Sequence, residues 1–134
     1  MAIFIGGSKN SDAARTALKI TYAVREIINP AIKVQYPKST FSISQVVGID
    51  TSSLFVARTG IRGSNDLVWV GRAANYAAKL SSRSGPPSQI TDDVYYQLNE
   101  KTKISGTGKN MWTKTTASEI GNKTIYTSAW QSSI

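Results

Sequence analysis

The sequence predicts an α+β fold in which helices pack on one mainly antiparallel sheet. Apolar residues recur at helical spacing over residues 12–28, and the segments "SLFVARTG" and "DLVWVG" follow each other as a pair of strands. An alanine-rich stretch over residues 70–82 predicts a further helix. The length of 134 residues is that of one domain, and no linker interrupts it, so residues 1–134 are expected to form a single domain.

The first two predicted elements are a strand and a long helix. "MAIFIGG" is apolar and ends in two glycines, as is typical of a short strand before a turn. The helix over residues 12–28 has apolar side chains on one face, at Ala13, Ala17, Ile20, Val24, Ile27 and Ile28. Asp12 in its first turn and Pro30 beyond its last turn indicate where it begins and ends.

The middle of the chain predicts three strands and a helix. "TFSISQVVGIDTSS" alternates and then becomes continuously apolar, as expected of a strand that runs into a sheet. The two strands that follow are joined by "IRGSN", in which Gly63, Ser64 and Asn65 predict a hairpin turn. The helix "VGRAANYAAKLSS" comes directly afterwards.

The remaining elements are shorter. "SQI" predicts a strand within a loop, and Thr91 or Asp92 predicts the cap of a helix that carries Val94, Tyr95 and Leu98. The last residues read as strands joined by glycine turns.

Composition excludes several kinds of chemistry. The chain has no cysteine and no histidine, which excludes disulfides, the usual zinc sites and any nucleophile that depends on histidine. No apolar run is long enough to span a membrane, and the N-terminus lacks the basic region of a signal peptide, so a cytoplasmic location is expected. The net charge of +8 suits a polyanionic partner, although the charges are scattered.

Asn75 and Lys79 are the candidate functional pair. They lie four residues apart, so both project from one face of the alanine-rich helix. An amide beside an ammonium forms a site for an oxygen-rich anion. The alternative is a solvated polar stripe, which spacing alone favours.

The segment "VGIDTSSLFVARTGIRGSNDLVWVGRAANYAAKLSS" resembles the catalytic domain of class III nucleotidyl cyclases, the adenylate/guanylate cyclase family. Five residues fall on the family pattern: Gly48, Ile49, Gly60, Gly71 and Asn75. Three positions depart from it, where Ser52 and Ala57 replace glycines and Val56 replaces an alanine. Lys79 stands where the family has arginine.

The resemblance implies a ferredoxin-like, cyclase-type sandwich that works as a head-to-tail homodimer, with active sites between the subunits. It implies a phosphorus-oxygen lyase in which a 3'-hydroxyl attacks the α-phosphate of a nucleoside triphosphate and pyrophosphate leaves. Asn75 would orient the ribose and Lys79 would stabilise phosphate charge. Two aspartates of the other subunit would hold two divalent ions, Mg²⁺ or Mn²⁺.

The family's metal-binding aspartates would fall before Met1. None of Asp12, Asp50 and Asp66 stands at the position that would replace them. The resemblance therefore identifies an N-terminally truncated, C-terminal portion of a cyclase domain, and we expect this chain alone to be inactive.

Base selection is expected at Val68 and Trp69. The family reads its base partly at the position of Val68, whose side chain cannot hydrogen-bond to a purine, while the backbone at Trp69 approaches the base. The sequence is most like bacterial pyrimidine cyclases of anti-phage signalling, which make cyclic UMP or cyclic CMP. Val68 is otherwise simply a buried strand residue.

Three further cations are weaker candidates. Lys123 is the nearest match to a late family lysine that touches phosphate or base. Arg58 and Arg62 flank the hairpin and either reach the triphosphate or remain solvated.

Other functions stay open at this point. The chain could be an inactive cyclase-like module for binding or dimerisation, or a fragment of an adenylate or guanylate cyclase. A basic nucleic-acid-binding domain ranks last, because the aromatic residues are not interleaved with basic ones. We therefore expect a nucleoside triphosphate as partner and no nucleic acid.

Overall fold

A computed structural model describes residues 1–61 and 64–134 of the chain. The strands are β1 Val47–Ile49, β2 Phe55–Ile61, β3 Ser64–Val70, β4 Ser88–Thr91, β5 Thr113–Ala117 and β6 Lys123–Ser128. The helices are α1 Lys9–Tyr22, α2 Asn29–Gln35, α3 Arg72–Ser81, α4 Asp92–Tyr96 and α5 Glu100–Lys103. A π-helical segment, Ala23–Ile28, joins α1 to α2, and a 3₁₀ turn, Ser118–Ile120, joins β5 to β6.

Four of the strands form one sheet in the order β1-β4-β6-β5. β1 and β4 are parallel, whereas β6 is antiparallel to both β4 and β5. β2 and β3 form a separate antiparallel hairpin. The expectation of helices combined with a mainly antiparallel sheet is thus confirmed, and the ferredoxin-like arrangement stays a prediction.

Side chains on β6 alternate between the two faces of the four-stranded sheet. Tyr126 lies opposite Ile90 of β4 and shares a core cluster with residues of α1 and α4. Ile125 points to the other face, where it packs with Leu80 of α3 and Ile120. Helices therefore cover both faces of the sheet, and β6 contributes a side chain to the core cluster on each face.

The contact between α3 and β1 is unusually close, and Gly48 permits it. A Cβ atom at Gly48 would lie 2.6 Å from the Ser81 nitrogen and 2.7 Å from the Leu80 Cβ, and it would also overlap the carbonyl oxygen of Ala77. All three obstacles belong to α3, and two are backbone atoms that cannot rotate away. Gly48 therefore sets how closely the alanine-rich helix approaches the sheet.

One strand prediction was wrong, and a second was wrong in extent. Residues 1–5 of "MAIFIGG" form no strand within the described chain, since a strand requires a neighbour that accepts its backbone hydrogen bonds and none pairs with them there. The strand predicted in "TFSISQVVGIDTSS" contracts to Val47–Ile49. The residues before it are held by a side chain instead, because the Asn29 amide hydrogen-bonds to both the N–H and the carbonyl of Ile43.

The first predicted helix is confirmed and extends further than expected, from Lys9 to Gln35 with the π-helical segment in its middle. Pro30 does not end it, because Pro30 lies in the first turn of α2, where a missing N–H is tolerated. Of the predicted hairpin turn, Ser64 and Asn65 belong to β3, and Gly63 lies outside the described residues.

The other short elements agree with expectation in part. β4 contains the predicted "SQI" strand, and Thr91 directly precedes α4. Its hydroxyl donates to Asp50 rather than capping the helix. Across residues 1–61 and 64–134, no helix has the length and apolar character that crossing a bilayer requires.

Replacing Gly48 with alanine should separate α3 from β1. We expect Gly48→Ala to lower the free energy of unfolding by about 1–3 kcal/mol, as overpacking of a tight contact does, measured by urea denaturation. Gly7→Ala is the matched control, because nothing lies within 4 Å of a Cβ at Gly7. Equal stability of the two variants would contradict the close contact.

Tyr126 should titrate late. The Tyr96 hydroxyl and burial raise the pKa of Tyr126 to about 12, and its ring stacks on Tyr95 with centroids 3.6 Å apart. Because the folded pKa exceeds the unfolded value, this contribution to stability is complete below pH 10 and is lost as the pH rises towards 12, at most about 3 kcal/mol. Tyrosinate absorbance should detect one late group that Tyr126→Phe removes; an unchanged titration would refute the assignment.

Candidate functional site

Helix α3 presents Asn75 and Lys79 on its outer face. Ala73 and Leu80 are buried on the opposite side, while Asn75 and Lys79 are exposed. Among the side chains that the structure describes, which leave out those of residues 59 and 61–66, none hydrogen-bonds or forms an ion pair with the Asn75 amide or the Lys79 ammonium. The two groups, about 6 Å apart along the helix axis, are therefore available to an external ligand, as the predicted anion site requires.

The first turn of α3 is tied to the segment that follows β1. The N–H of Ala73 donates to the Ser52 hydroxyl at 3.1 Å. The guanidinium of Arg72, the first residue of the helix, donates through Nη2 to the carbonyl oxygen of Thr51 at 2.8 Å. Both bonds fix the helix start relative to the carboxyl end of β1.

Arg72 also joins two carboxylates. Its Nε lies 3.3 Å from Oδ2 of Asp50, and its Nη2 lies 2.7 Å from Oδ2 of Asp93. The Asp50 side chain has no exposed surface, and its Oδ1 accepts the Thr91 hydroxyl. A fully buried carboxylate requires a cation, and Arg72 is the cation beside it.

Asp93 extends the chain of charges to β6. Lys123 Nζ lies 2.8 Å from Oδ1 of Asp92 and 3.4 Å from Oδ2 of Asp93. Asp50, Arg72, Asp93, Lys123 and Asp92 thus form one connected set, called here the charge network. It links the ends of β1 and β4 to the start of β6 and the start of α3.

The charge network shifts the pKa values of its two cations. Burial alone would lower the pKa of Arg72, but the charges of Asp50 and the hydrogen bond to Asp93 outweigh it and raise that pKa. The hydrogen bond to Asp92 raises the pKa of Lys123, with Asp93 adding to it. Both cations therefore keep their charge throughout the neutral range.

The predicted base-reading residues lie on opposite faces of the hairpin. Val68 pairs with Ala57 and is 39% exposed, so it is not the buried strand residue of the alternative reading. Trp69 points the other way and lines a cleft of about 200 Å³, which α1, α3, β1 and residues 1–4 surround. Arg58 is exposed, and Arg62 lies outside the described residues.

The predicted site residues are only partly brought together. Asn75 and Lys79 share one face, but Lys123 is held by Asp92 and Asp93 rather than beside them. Sequence reasoning missed Arg72, Asp92 and Asp93. A signal was present, since Asp50 and Asp92 each directly follow one of two short strand segments, and the carboxyl ends of parallel strands meet at one edge of a sheet.

The residues of the described chain do not suit a divalent ion. No group of three acidic, histidine or cysteine side chains that could hold a metal occurs in residues 1–61 and 64–134. Asp50, Asp92 and Asp93 are near one another through their shared cations, and those cations already balance their charge.

Three known proteins are similar to this chain, and each is named uridylate cyclase. The one from Xanthomonas perforans is 54% identical over 131 residues, which cover 98% of this chain and 56% of the relative. The one from Burkholderia cepacia is 53% identical over 131 residues, with the same coverage of 98% and 56%. The one from Rhodovulum sp. (strain MB263) is 38% identical over 121 residues, covering 85% of this chain and 50% of the relative.

The chain spans about half the length of the curated relatives it matches. No family model matches the chain. Membership of the class III cyclases therefore stays a prediction. What the relatives contribute to the question of function is their sequence identity to this chain.

Proposed function

We propose that this chain is part of a pyrimidine nucleotide cyclase, which converts UTP or CTP to the 3',5'-cyclic monophosphate and pyrophosphate. The observation that carries this proposal is the identity of 54% to a uridylate cyclase across 98% of the chain. The sequence resemblance to the pyrimidine cyclases supports the same reaction, and it adds a role in bacterial anti-phage signalling to the proposal.

The reaction joins two parts of one substrate. The 3'-oxygen forms a bond to the α-phosphorus, the bond from that phosphorus to the bridging oxygen of the β-phosphate breaks, and pyrophosphate leaves. The proton of the 3'-hydroxyl is released. Negative charge on the phosphate oxygens shifts during this step, so a fixed cation at that place lowers the barrier.

Asn75 and Lys79 suit this step because nothing in the described chain occupies them. The amide of Asn75 can both donate to and accept from the ribose hydroxyls. Lys79 brings a compact charge to the phosphates, although it lacks the planar fork of an arginine. Their exposure on α3 means that the substrate must be enclosed from the other side.

The side chain of Val68 and the backbone of Trp69 are the proposed base contacts. The exposed side chain of Val68 offers apolar contact and no hydrogen bond, so it would contribute shape and not hydrogen-bond selection to the binding of a base. Lys123 is proposed as a third substrate contact. It reaches a triphosphate only after leaving Asp92, at 2.8 Å, so it would exchange a carboxylate for a phosphate.

A second copy of this chain is the proposed partner that encloses the site. The outer face of the hairpin carries Phe55 and Val70 directly opposite each other, with exposures of 71% and 56%. Val68 lies two residues further on the same face. An isolated two-stranded hairpin is marginal in water, and apolar patches of this kind are typical of interfaces.

An inactive cyclase-like binding module is the second candidate. The observation in its favour is that the described carboxylates are paired with Arg72 and Lys123 and form no metal-binding group. Catalysis would then require ligands from the part of the relatives that this chain does not span.

The activity is tested in a chimera that joins this chain to the part of the Xanthomonas perforans relative that it does not span. We expect the chimera to convert UTP or CTP in the presence of Mn²⁺, with ATP and GTP poor substrates, measured as cyclic nucleotide by mass spectrometry. Lys79→Ala should lower kcat by about 100-fold or more, and Lys79→Arg should retain most activity.

Lys33→Ala is the matched control, since Lys33 is another exposed lysine on a helix, α2. It should leave activity unchanged. Cyclase activity that survives Lys79→Ala would remove Lys79 from the site, and a folded chimera without activity towards any of the four nucleotides would favour the binding module.

The dimer is tested by placing charge on the outer face of the hairpin. Phe55→Asp combined with Val70→Asp should turn the dimer into a monomer in analytical ultracentrifugation, because burying an unpaired carboxylate costs free energy. The same pair of substitutions should lower the activity of the chimera. Val34→Asp changes a valine that is 83% exposed on α2 and should leave the dimer intact. A wild-type monomer at micromolar concentration would refute this proposal.

A further inference from the structure

The first residue of α3 shares its exposed face with the proposed substrate contacts. Arg72, Asn75 and Lys79 are spaced by three and four residues, which places them in one row along the helix. A row of two cations and an amide resembles a longer anion site. The surroundings of Arg72 decide whether it belongs to that site.

The guanidinium of Arg72 already has protein partners, although its side chain is 42% exposed. Asp50 lies at 3.3 Å, Asp93 at 2.7 Å and the Thr51 carbonyl oxygen at 2.8 Å. The ring of Tyr76, one turn further along α3, lies 5.4 Å from the guanidinium carbon. Its Nε and Nη2 are directed at these protein groups and two carboxylates balance its charge, whereas the Lys79 ammonium has no such partner among the described side chains.

The partners of Arg72 belong to elements other than α3. Asp50 and Thr51 follow β1, and Asp93 lies in α4, which follows β4. Asp50 cannot turn towards solvent, because its side chain is fully buried and its Oδ1 is held by Thr91. The helix start is thus anchored to the carboxyl ends of both parallel strands.

We infer that Arg72 is a positioning residue, which is held by Asp50, Asp93 and Thr51 and sets the orientation of α3, and with it the placement of Asn75 and Lys79. The inference rests on the proposed function of those two residues. Gly48 determines how closely α3 approaches the sheet, whereas Arg72 determines its rotation and the position of its first turn. Asp50 and Asp93 contribute to the same positioning, because they hold the guanidinium of Arg72.

The distinguishing experiment is a double-mutant cycle in the chimera. We expect Arg72→Met to lower kcat by about 10- to 100-fold with a smaller change in KM, and Arg72→Lys to recover part of that loss. In the Lys79→Ala background, Arg72→Met should lower kcat by a clearly smaller factor than in the unmutated chimera, because one of the two groups that it positions is gone. Arg15→Met, which removes another exposed arginine near a carboxylate, should leave kcat unchanged.

Two outcomes overturn the inference. Losses from Arg72→Met and Lys79→Ala that multiply would show that Arg72 acts independently, and a rise in KM alone would make it a substrate contact. If Lys79→Ala itself has no effect, the proposed function fails instead, and the two failures are therefore distinct.

A second measurement needs no activity and uses the 134-residue chain itself. Hydrogen exchange should accelerate at least 10-fold in the first turn of α3, residues 73–76, in Arg72→Met, while the strand β6 keeps its protection. Arg15→Met is again the control and should leave both segments unchanged. Unaltered exchange in residues 73–76 would refute a positioning role whatever the enzyme assay gives.

Discussion

The buried carboxylate of Asp50 is the constraint on which the arrangement of this protein's sheet edge depends. A charge without solvent contact must be balanced locally, and the cation that balances it is the first residue of α3. The same guanidinium then reaches Asp93, and Asp93 reaches Lys123. The need to balance this one charge therefore determines where α3 begins and how α4 is attached to it. It also brings Lys123 on β6 into contact with carboxylates.

Packing and charge act on α3 from different directions. On its inner side, alanines and Gly48 allow contact with β1 at backbone distance, and Leu80 joins the core cluster with Ile125. At its start, Arg72 bonds to groups beyond the ends of two strands. The outer side carries Asn75 and Lys79. These two residues take part neither in the packing of α3 on β1 nor in the bonds at its start, and nothing among the described side chains explains their presence. That contrast supports assigning them to a ligand.

Local patterns predicted the elements whose stability is local. The periodicity of residues 12–28 identified α1, and the strand pair and alanine-rich helix were found within a few residues. The strand in "MAIFIGG" failed because strands depend on distant partners that a pattern does not reveal, and the four-residue α5 is too short to have a period. Asn75 and Lys79 were accessible to sequence reasoning because they are neighbours on one helix. The pairing of Arg72 with Asp93, 21 residues away, appears only after folding.

The separation of the hairpin from the four-stranded sheet bears on how such a protein can change over evolution. Val68 lies on a pair of strands none of whose described side chains belongs to either core cluster, whereas Asn75 and Lys79 lie on a helix bonded to groups that follow both parallel strands. In the proposed cyclase, substitutions on the hairpin would alter which base is accepted, while the helix proposed to face ribose and phosphate would stay in place. Selectivity and chemistry would then be free to diverge at different rates, with new nucleotide signals arising from an unchanged scaffold.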